Sequence, residues 1–198
     1  MRTAVSIFAL AVVLLLQGCA AAVVAGAATG AAVAHDRRTM GSIVDDEAVE
    51  IKAGGAILAD NQLKDQAHVN VTSMNGIVLL SGEAASAELR DRVLSQVRPI
   101  PSIRRIHNEI RIAPPSSFGN RSLDSWYTTK VKSRLLFTKD LDATRVKVVT
   151  ENATVYLLGL VTQREAEIAA NSTAQVGGIA GVVKLFEYID GPAAGQTP

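Results

Sequence analysis

A β-hairpin is predicted by the stretch Val69-Asn70-Val71-Thr72-Ser73-Met74-Asn75-Gly76-Ile77-Val78-Leu79-Leu80-Ser81-Gly82. Residues 69–72 have the composition of a short strand, and residues 77–80 form its apolar partner. Asn75-Gly76 lies between them and is the dipeptide most typical of a two-residue hairpin turn, because both residues tolerate a positive φ angle. Gly82 ends the predicted hairpin.

Helices are predicted on both sides of this hairpin. Upstream, Asp45-Asp46 can cap a helix that Gly54-Gly55 weakens. The apolar positions of that helix recur at spacings of three and four and are Val49, Ala53, Ala56 and Ile57. Downstream, Ser86 begins a second helix that Pro99 and Pro101 end. Its apolar face is Leu89, Val93, Leu94 and Val97. Isoleucines between residues 103 and 112 then form a last strand, so the unit reads αββαβ.

The same unit occurs a second time further along the chain. At a constant offset of 77, Val69-Asn70-Val71, Asn75, Val78, Leu80 and Gly82 return as Val146-Lys147-Val148, Asn152, Val155, Leu157 and Gly159. The first helices align at an offset of 78 and the last strands at 76. This order across three elements indicates a duplicated domain. We predict domains at residues 44–113 and 123–190, a linker at 114–122 that includes Gly119-Asn120, and a tail at 191–198.

The repeated unit resembles the BON domain. The resemblance is carried by the hairpin pattern Val-x-Val-x-x-x-x-Gly-x-Val-x-Leu-x-Gly and by the later helix that a Val-rich strand follows. In the second copy Ala153 replaces the turn glycine Gly76, which leaves the type of that turn open. The resemblance implies an α+β fold of two small αββαβ sandwich domains in tandem, with binding to phospholipid membranes and no enzymatic activity.

The N-terminus carries the features of a lipoprotein signal. Arg2 precedes an uncharged apolar run at residues 4–16, which is typical of a secretory signal peptide. Leu16-Gln17-Gly18-Cys19 then resembles the lipobox of bacterial lipoproteins, and Cys19 is the only cysteine. This resemblance implies cleavage after Gly18, acylation of Cys19 and, because Ala20 rather than Asp follows, sorting to the outer membrane. Two BON-like units behind a lipobox are similar to the dual BON-domain outer-membrane lipoproteins of Gram-negative bacteria.

Residues 20–34 are also apolar and could lengthen the hydrophobic run into a membrane span. They consist of Ala, Gly and Thr with only three Val, whereas insertion depends on Leu, Ile and Phe. We therefore predict a flexible tether at residues 19–43.

Composition excludes several classes of function. The chain has 20 basic and 19 acidic residues, a net charge of +1, so its bulk charge favours no nucleic-acid partner. The three histidines lack the spacing of metal ligands, and the sequence has no GxSxG, P-loop or GxGxxG motif. We expect no metal, no cofactor and no catalysis. The stretch Val176-Gly177-Gly178-Ile179 is interpreted as a turn into the last strand.

The two first helices differ in charge. Residues 46–60 sum to −3 and residues 124–140 to +2, and only the second helix contains a tryptophan, Trp126. At helical spacing Trp126, Lys130 and Arg134 form one stripe, and Tyr127, Val131 and Leu135 form a neighbouring stripe that should face the core. An aromatic residue beside cations suits anionic headgroups. The predicted lipid-binding residues are Trp126, Tyr127, Lys130, Arg134 and Phe137.

We expect a lipid-anchored periplasmic protein that binds anionic phospholipid through this helix. The family resemblance adds a role in outer-membrane integrity and enrichment at division sites. In the alternative, the same surface docks a protein partner in outer-membrane assembly or cell-wall remodelling, and Trp126 could also pack against the linker or the other domain. The sequence leaves open whether the domains touch and whether the chain is oligomeric.

Replacement of the lipobox cysteine tests the anchor. Cys19→Ala should abolish acylation and leave the protein soluble or as an uncleaved precursor, because burial of acyl chains is the main anchoring interaction. Metabolic labelling with a palmitate analogue measures this, and label that persists on the variant would contradict the lipobox assignment.

Overall fold

The computed structural model describes residues 36–190, so the signal peptide, Cys19 and the C-terminal tail lie outside the described residues. The elements in chain order are α1 (Met40–Ala59), α2 (Asn61–Gln66), β1 (Ala67–Met74), β2 (Ile77–Ala84), α3 (Ala87–Val97), β3 (Arg105–Ile112), α4 (Phe118–Leu136), a 3-10 turn (Ala143–Arg145), β4 (Lys147–Glu151), β5 (Thr154–Val161), α5 (Gln163–Ala174) and β6 (Gly181–Tyr188). The predicted αββαβ order thus occurs twice, and the first copy adds the short helix α2.

Each copy forms its own three-stranded sheet. β1 and β2 pair antiparallel through the predicted hairpin, and β3 lies parallel to β2 on its other side. The second copy repeats this arrangement with β4, β5 and β6. A parallel neighbour requires a crossover connection, and α3 and α5 provide it. The predicted α+β architecture in tandem is confirmed.

Each sheet carries helices on one face, and a separate core lies beneath them. In the first copy Val49, Ala53 and Ile57 of α1 pack with alternate residues of β2 and with the predicted face of α3. In the second copy Val131 and Leu135 of α4 occupy the equivalent place. The apolar periodicity of the sequence therefore identified the buried side of both first helices.

The other faces of the two sheets pack against each other. Leu79 of β2 lies against Tyr156 and Leu158 of β5, and Met74 and Leu185 complete this cluster. All eight residues of β2 are buried, because one set of side chains faces the helices and the other faces the second sheet. The two domains form one compact unit with helices on its two outer faces.

Polar contacts surround this apolar interface. Asn70 Nδ2 donates to Glu151 Oε2 at 2.8 Å, and Lys147 Nζ donates to Glu50 Oε1 at 2.6 Å. Asn70 and Lys147 are equivalent positions of the two copies, and each binds a glutamate of the other copy. Burial of the interface also raises the pKa of Tyr156 to about 12, with a further contribution from the nearby Glu109 carboxylate.

Both first helices begin earlier than the sequence indicated. The N-cap of α1 is Thr39, whose Oγ1 accepts from the Ser42 amide at 3.1 Å. Prediction of the cap at Asp45-Asp46 was wrong, and Gly54-Gly55 does not interrupt the helix. In the same way Ser117 caps α4, so Gly119-Asn120 lies in its first turn and not in a linker. A Ser or Thr cap satisfies helix amides that no helical carbonyl reaches.

A buried aspartate in each first helix holds the hairpin turn below it. Asp46 accepts from the amides of Asn75 and Gly76 at 2.6 and 2.8 Å. Asp124 accepts from the amides at positions 152 and 153 at 2.9 and 2.8 Å. Both aspartates are less than a tenth exposed. Both aspartates were included in the charge sums of the two first helices, whereas in the structure they connect helix to turn.

The two turns have the same backbone conformation. Asn75 and Gly76 have φ angles of 52° and 73°, and Asn152 and Ala153 have 50° and 59°. The alanine therefore adopts a left-handed conformation that costs a residue with a Cβ about 1 kcal/mol. The type of the second turn, which the sequence left open, matches the first.

This comparison predicts opposite effects of two matched substitutions. Ala153→Gly should raise the free energy of unfolding by about 1 kcal/mol. Gly76→Ala should lower it by more than that, because its Cβ would lie 2.7 Å from the Ser102 carbonyl oxygen. Urea denaturation measures both, and a stability loss in Ala153→Gly would contradict the assignment of strain to this turn.

The predicted structural role of Gly82 and Gly159 has a direct steric reason. A Cβ on Gly82 would lie 1.9 Å from the carbonyl oxygen of His68, and one on Gly159 would lie 2.4 Å from that of Arg145. Any side chain at either position would push the neighbouring backbone away. Both glycines lie within strands, β2 and β5, and not on α4, so we expect their substitution to reduce stability rather than lipid affinity.

Candidate functional site

The outer face of α4 carries an unusual number of exposed large apolar residues. Val131 and Leu135 turn into the core as predicted, and the opposite side of the helix faces solvent. The exposed apolar residues of α4 and its C-cap are Phe118, Leu123, Trp126, Leu136 and Phe137. Trp126 is 59% exposed and Phe137 is 86% exposed. A group of exposed large apolar residues on one side of a helix is typical of an interaction surface.

More than half of the Trp126 side chain is open to solvent, so it is not buried against the linker or the first domain. Its exposure places it on the solvent side of α4, one helical turn before Lys130. The next residue, Tyr127, is half-buried, and its ring lies so close to Gly178 that a Cβ there would meet the ring at 2.6 Å. The structure thus groups Trp126 and Phe137 on the surface and places Tyr127 at the edge of the core.

The two predicted cations, Lys130 and Arg134, also form hydrogen bonds within the protein. Lys130 Nζ donates to the Gly177 carbonyl oxygen at 2.9 Å and lies 5.8 Å from the centre of the Tyr127 ring. Arg134 donates to Gln175 and, at 3.4 Å, to Ser172 Oγ. These contacts bind α4 to the C-terminal end of α5. They also hold both positive charges at fixed places beside the exposed aromatic residues.

Three exposed apolar residues of this surface, Phe118, Leu123 and Leu136, and two of its cations were missing from the predicted lipid-binding residues. Phe118 and Leu123 fell in or next to the predicted linker, and the signal that would have included Phe118 is Ser117, a good helix cap. Lys132 and Lys139 are exposed cations of α4 and of the segment after it. The surface is therefore longer than predicted, from Phe118 to Lys139.

Most of the acidic residues within residues 46–60 form ion pairs or hydrogen bonds inside the protein. Asp46 is buried and receives a hydrogen bond from Arg38 at 2.8 Å, and Glu50 forms its ion pair with Lys147. Asp60, the cap of α2, accepts hydrogen bonds from α3. The charge sums of −3 for residues 46–60 and +2 for residues 124–140 therefore do not mean that the two helices have oppositely charged outer faces. The helices differ more clearly in their exposed apolar side chains, which include aromatic residues on α4 and are aliphatic on α1.

The last part of the predicted tether is ordered, because Arg37 binds the second domain and α1 already begins at Met40. The prediction of a flexible tether was therefore wrong for residues 37–43. Arg37 donates from Nη1 to Glu165 Oε2 at 2.6 Å and from Nη2 to Oε1 at 3.1 Å, which is a bidentate ion pair. Burial alone would raise the pKa of Glu165, but the hydrogen bonds from Arg37 and Thr162 lower that pKa to about 2. Arg145 also donates to this carboxylate at 2.9 Å.

In the part of the chain from residue 36 to residue 190, no helix combines the length and the apolar character needed to cross a bilayer.

Comparison with known proteins identifies the family. The BON domain family matches residues 45–114 and 123–190. Outer membrane lipoprotein DolP of Haemophilus influenzae is 41% identical over 175 residues, which cover 88% of this chain and 91% of that protein. The 21 kDa hemolysin of Actinobacillus pleuropneumoniae is 37% identical over 154 residues, 78% of this chain and 79% of that protein. The chain belongs to the BON-domain family, with two BON domains in tandem.

The similarity to DolP extends over most of both chains, so the protein is a dual-BON lipoprotein of the DolP type and an outer-membrane protein. Neither relative is named as an enzyme. A solved structure of CdsD, a structural protein of the type III secretion system of Chlamydia trachomatis, aligns with a TM-score of 0.29 at 16% identity. That alignment covers 73% of this chain and 63% of the CdsD chain, which is less than two thirds of it.

Acid titration tests the ion pair of Arg37. The pKa of Glu165 lies below its ordinary value of 4.5, so the pair stabilises the fold fully above that value and is lost as the pH falls toward 2. Arg37→Ala should unfold at lower urea concentration at pH 6 and should lose less stability than the unchanged protein between pH 5 and pH 2. Arg164→Ala, which removes an exposed pair with Asp140, is the matched control. Identical pH profiles for Arg37→Ala and the unchanged protein would contradict the assignment.

Proposed function

We propose that the protein is anchored by acylated Cys19, faces the periplasm and binds anionic phospholipid through the outer face of α4, and that this binding supports outer-membrane integrity. One observation carries the proposal. Among the helices of residues 36–190, α4 with its C-cap is the one that presents exposed aromatic side chains, namely Phe118, Trp126 and Phe137. Five cations lie in the segment from Phe118 to Lys139, namely Arg121, Lys130, Lys132, Arg134 and Lys139.

The chemistry of this surface matches the interfacial region of a bilayer. An indole ring such as that of Trp126 is most stable at headgroup depth, and a phenylalanine side chain enters the boundary of the acyl region. Each Lys or Arg near an anionic surface adds about 1 kcal/mol of attraction. Contacts with the C-terminal end of α5 and with the turn after it hold Arg134 and Lys130 in place, which reduces the entropy lost when they meet lipid.

The acyl anchor lowers the lipid affinity that α4 needs. Acylation at more than one position of Cys19 keeps the chain at the membrane. Lipid binding by α4 is then an intramolecular event at high effective concentration, so weak intrinsic affinity is sufficient. In this arrangement α4 determines how the domains are oriented on the membrane rather than whether they stay there.

Vesicle flotation of a soluble form that lacks residues 1–35 tests the proposal. It should float with phosphatidylglycerol vesicles and much less with phosphatidylcholine vesicles. Trp126→Ala should lower the apparent affinity about tenfold, because one large apolar side chain no longer leaves water. Tyr188→Ala is the matched control, since this aromatic residue is 48% exposed on a strand away from α4. Failure to float with either lipid would contradict lipid binding and favour the adaptor hypothesis.

A second pair of variants separates charge from structure. Arg134→Gln should weaken binding to phosphatidylglycerol about fivefold and leave weak binding to phosphatidylcholine unchanged. Gln175→Ala removes the hydrogen-bond partner of Arg134 but keeps its charge, so its binding should stay close to normal. Binding should also fall with added salt, because charges are screened over about 8 Å at physiological ionic strength. Equal losses in both variants would assign a structural role to Arg134.

A further inference from the structure

A groove lies between the C-terminal end of α4 and helix α5, with a volume of about 520 Å³. Arg134, Phe137 and Lys139 line it from α4 and the residues that follow. Ile168 and Asn171 line it from α5. Two cations, one amide and two apolar side chains thus surround one cavity, and α4, whose outer face is the proposed lipid surface, forms one of its walls.

The polar side chains of this groove are available to a ligand. Within residues 36–190, the side chains of Lys139 and Asn171 have no hydrogen-bond or ion-pair partner. Arg134 donates only to neutral groups of that part of the chain, Ser172 and Gln175. Among the described residues, no acidic side chain lines the groove. Its two positive charges therefore have no counter-ion in this part of the structure, and an anion would be attracted to both.

The first domain contains an equivalent groove of about 500 Å³, between the end of α1 and the helices α2 and α3. Four of its lining residues have counterparts in the second groove at the offset of 78 that relates the first helices. These pairs are Ala56 with Arg134, Ala59 with Phe137, Asp60 with Thr138, and Asn61 with Lys139. Duplication thus produced the same groove twice, and three of the four changes make the second copy more positive.

An acidic residue in the groove of the first domain is replaced by a neutral residue in the second. Asp60 accepts hydrogen bonds from Arg92 and Gln96, which lie across that groove on α3. These contacts neutralise the charges of the first copy within the protein. At the equivalent position Thr138 has no charge, and its hydroxyl donates to the Arg134 carbonyl oxygen at 2.8 Å. Within the described residues the second groove therefore keeps its cations without an acid, which indicates that they serve an anionic ligand.

We propose that the groove between α4 and α5 holds the phosphate of one phospholipid headgroup between Arg134 and Lys139, with Asn171 as a further hydrogen-bond donor. This site deepens the lipid binding proposed above and rests on it. Two cations and an amide match the oxygens of a phosphate, which accept charge-assisted hydrogen bonds. A choline or ethanolamine headgroup carries a positive charge that these cations repel, so the site favours anionic lipids.

The apolar side chains of the groove favour a lipid over a soluble phosphate ester. Phe137 is 86% exposed, and the neighbouring Leu136 is 65% exposed. A soluble ester would leave these side chains in water, whereas the glycerol and the first acyl carbons of a lipid would cover them. Ile168 provides an apolar surface on the other wall. The phosphate and the apolar part of one lipid thus meet matching chemistry within the same site.

NMR titration of the soluble form, which lacks residues 1–35 but retains every element of both domains, tests the phosphate site without a membrane. Glycerol 3-phosphate at millimolar concentration should shift amide signals of residues 134–139 and 168–175. Thr138→Asp introduces the acid of the first groove and should weaken this binding about fivefold. Thr129→Asp is the matched control, because its hydroxyl also donates to the carbonyl oxygen four residues earlier and lies on α4 outside the groove. No shifts, shifts confined to other residues, or equal weakening by both variants would overturn the proposal.

Vesicle flotation of the same soluble form identifies the source of the phosphate. Thr138→Asp should weaken binding to phosphatidylglycerol vesicles about fivefold relative to Thr138→Asn, which loses the same hydroxyl without a new charge. Equal binding of these two variants would overturn the groove site and leave lipid binding by α4 in place. Binding of glycerol 3-phosphate without any flotation would assign the groove to a soluble ester and contradict a lipid as its ligand.

Lys139→Gln repeats the test at an exposed position, where folding is not at risk. It should weaken binding of both glycerol 3-phosphate and phosphatidylglycerol vesicles several-fold, because one of the two cations of the groove is lost. Lys52→Gln, at an exposed lysine of α1, is the matched control and should bind both as the unchanged protein does. Normal binding by Lys139→Gln would contradict the placement of the phosphate between the two cations.

Discussion

Contact between the two sheets, centred on Leu79, Tyr156 and Leu158, is the interaction on which the rest of the structure depends. A three-stranded sheet has two faces, and in each domain the helices cover only one of them. The second face carries an apolar cluster in both copies, which each domain alone would expose to water at about 25 cal/mol for every Å². Packing the two faces together removes both surfaces at once. Asn70 with Glu151 and Lys147 with Glu50 then fix the relative position of the sheets at the edges.

This packing determines what the surface can do. Because the sheets cover each other, α1 and α4 lie on the two outer faces of the unit and point away from one another. Gene duplication thus produced two helices in equivalent places with different exposed chemistry. On α4 the exposed residues include aromatic and cationic side chains, which suits a bilayer surface, whereas on α1 they are aliphatic, small and of both charges.

Much of this structure could be predicted from local patterns. The hairpin was predicted from Asn75-Gly76, and the buried face of α1 from the spacing of Val49, Ala53 and Ile57, because both depend on residues close in sequence. The duplication was predicted from the constant offset of 77. Burial of Asp46 and Asp124 could not be predicted, since it depends on turn amides about 28 residues away. The contact between sheets did leave a signal. Ile77, Val78, Leu79 and Leu80 are continuously apolar without alternation, which indicates a strand covered on both faces. At the candidate site Trp126 and Phe137 were predicted as lipid-binding residues. Phe118 was not predicted, because α4 was expected to begin after it.

The central claim is that α4 lies on the membrane while α1 does not. Its most direct test is NMR of the soluble form in the presence of anionic bicelles that contain a spin-labelled lipid, because the label broadens only amide signals near the bilayer. The account predicts broadening around Trp126 and Phe137, with signals of residues 40–59 unchanged. Broadening of α1 equal to that of α4, or confined to α1, would contradict it.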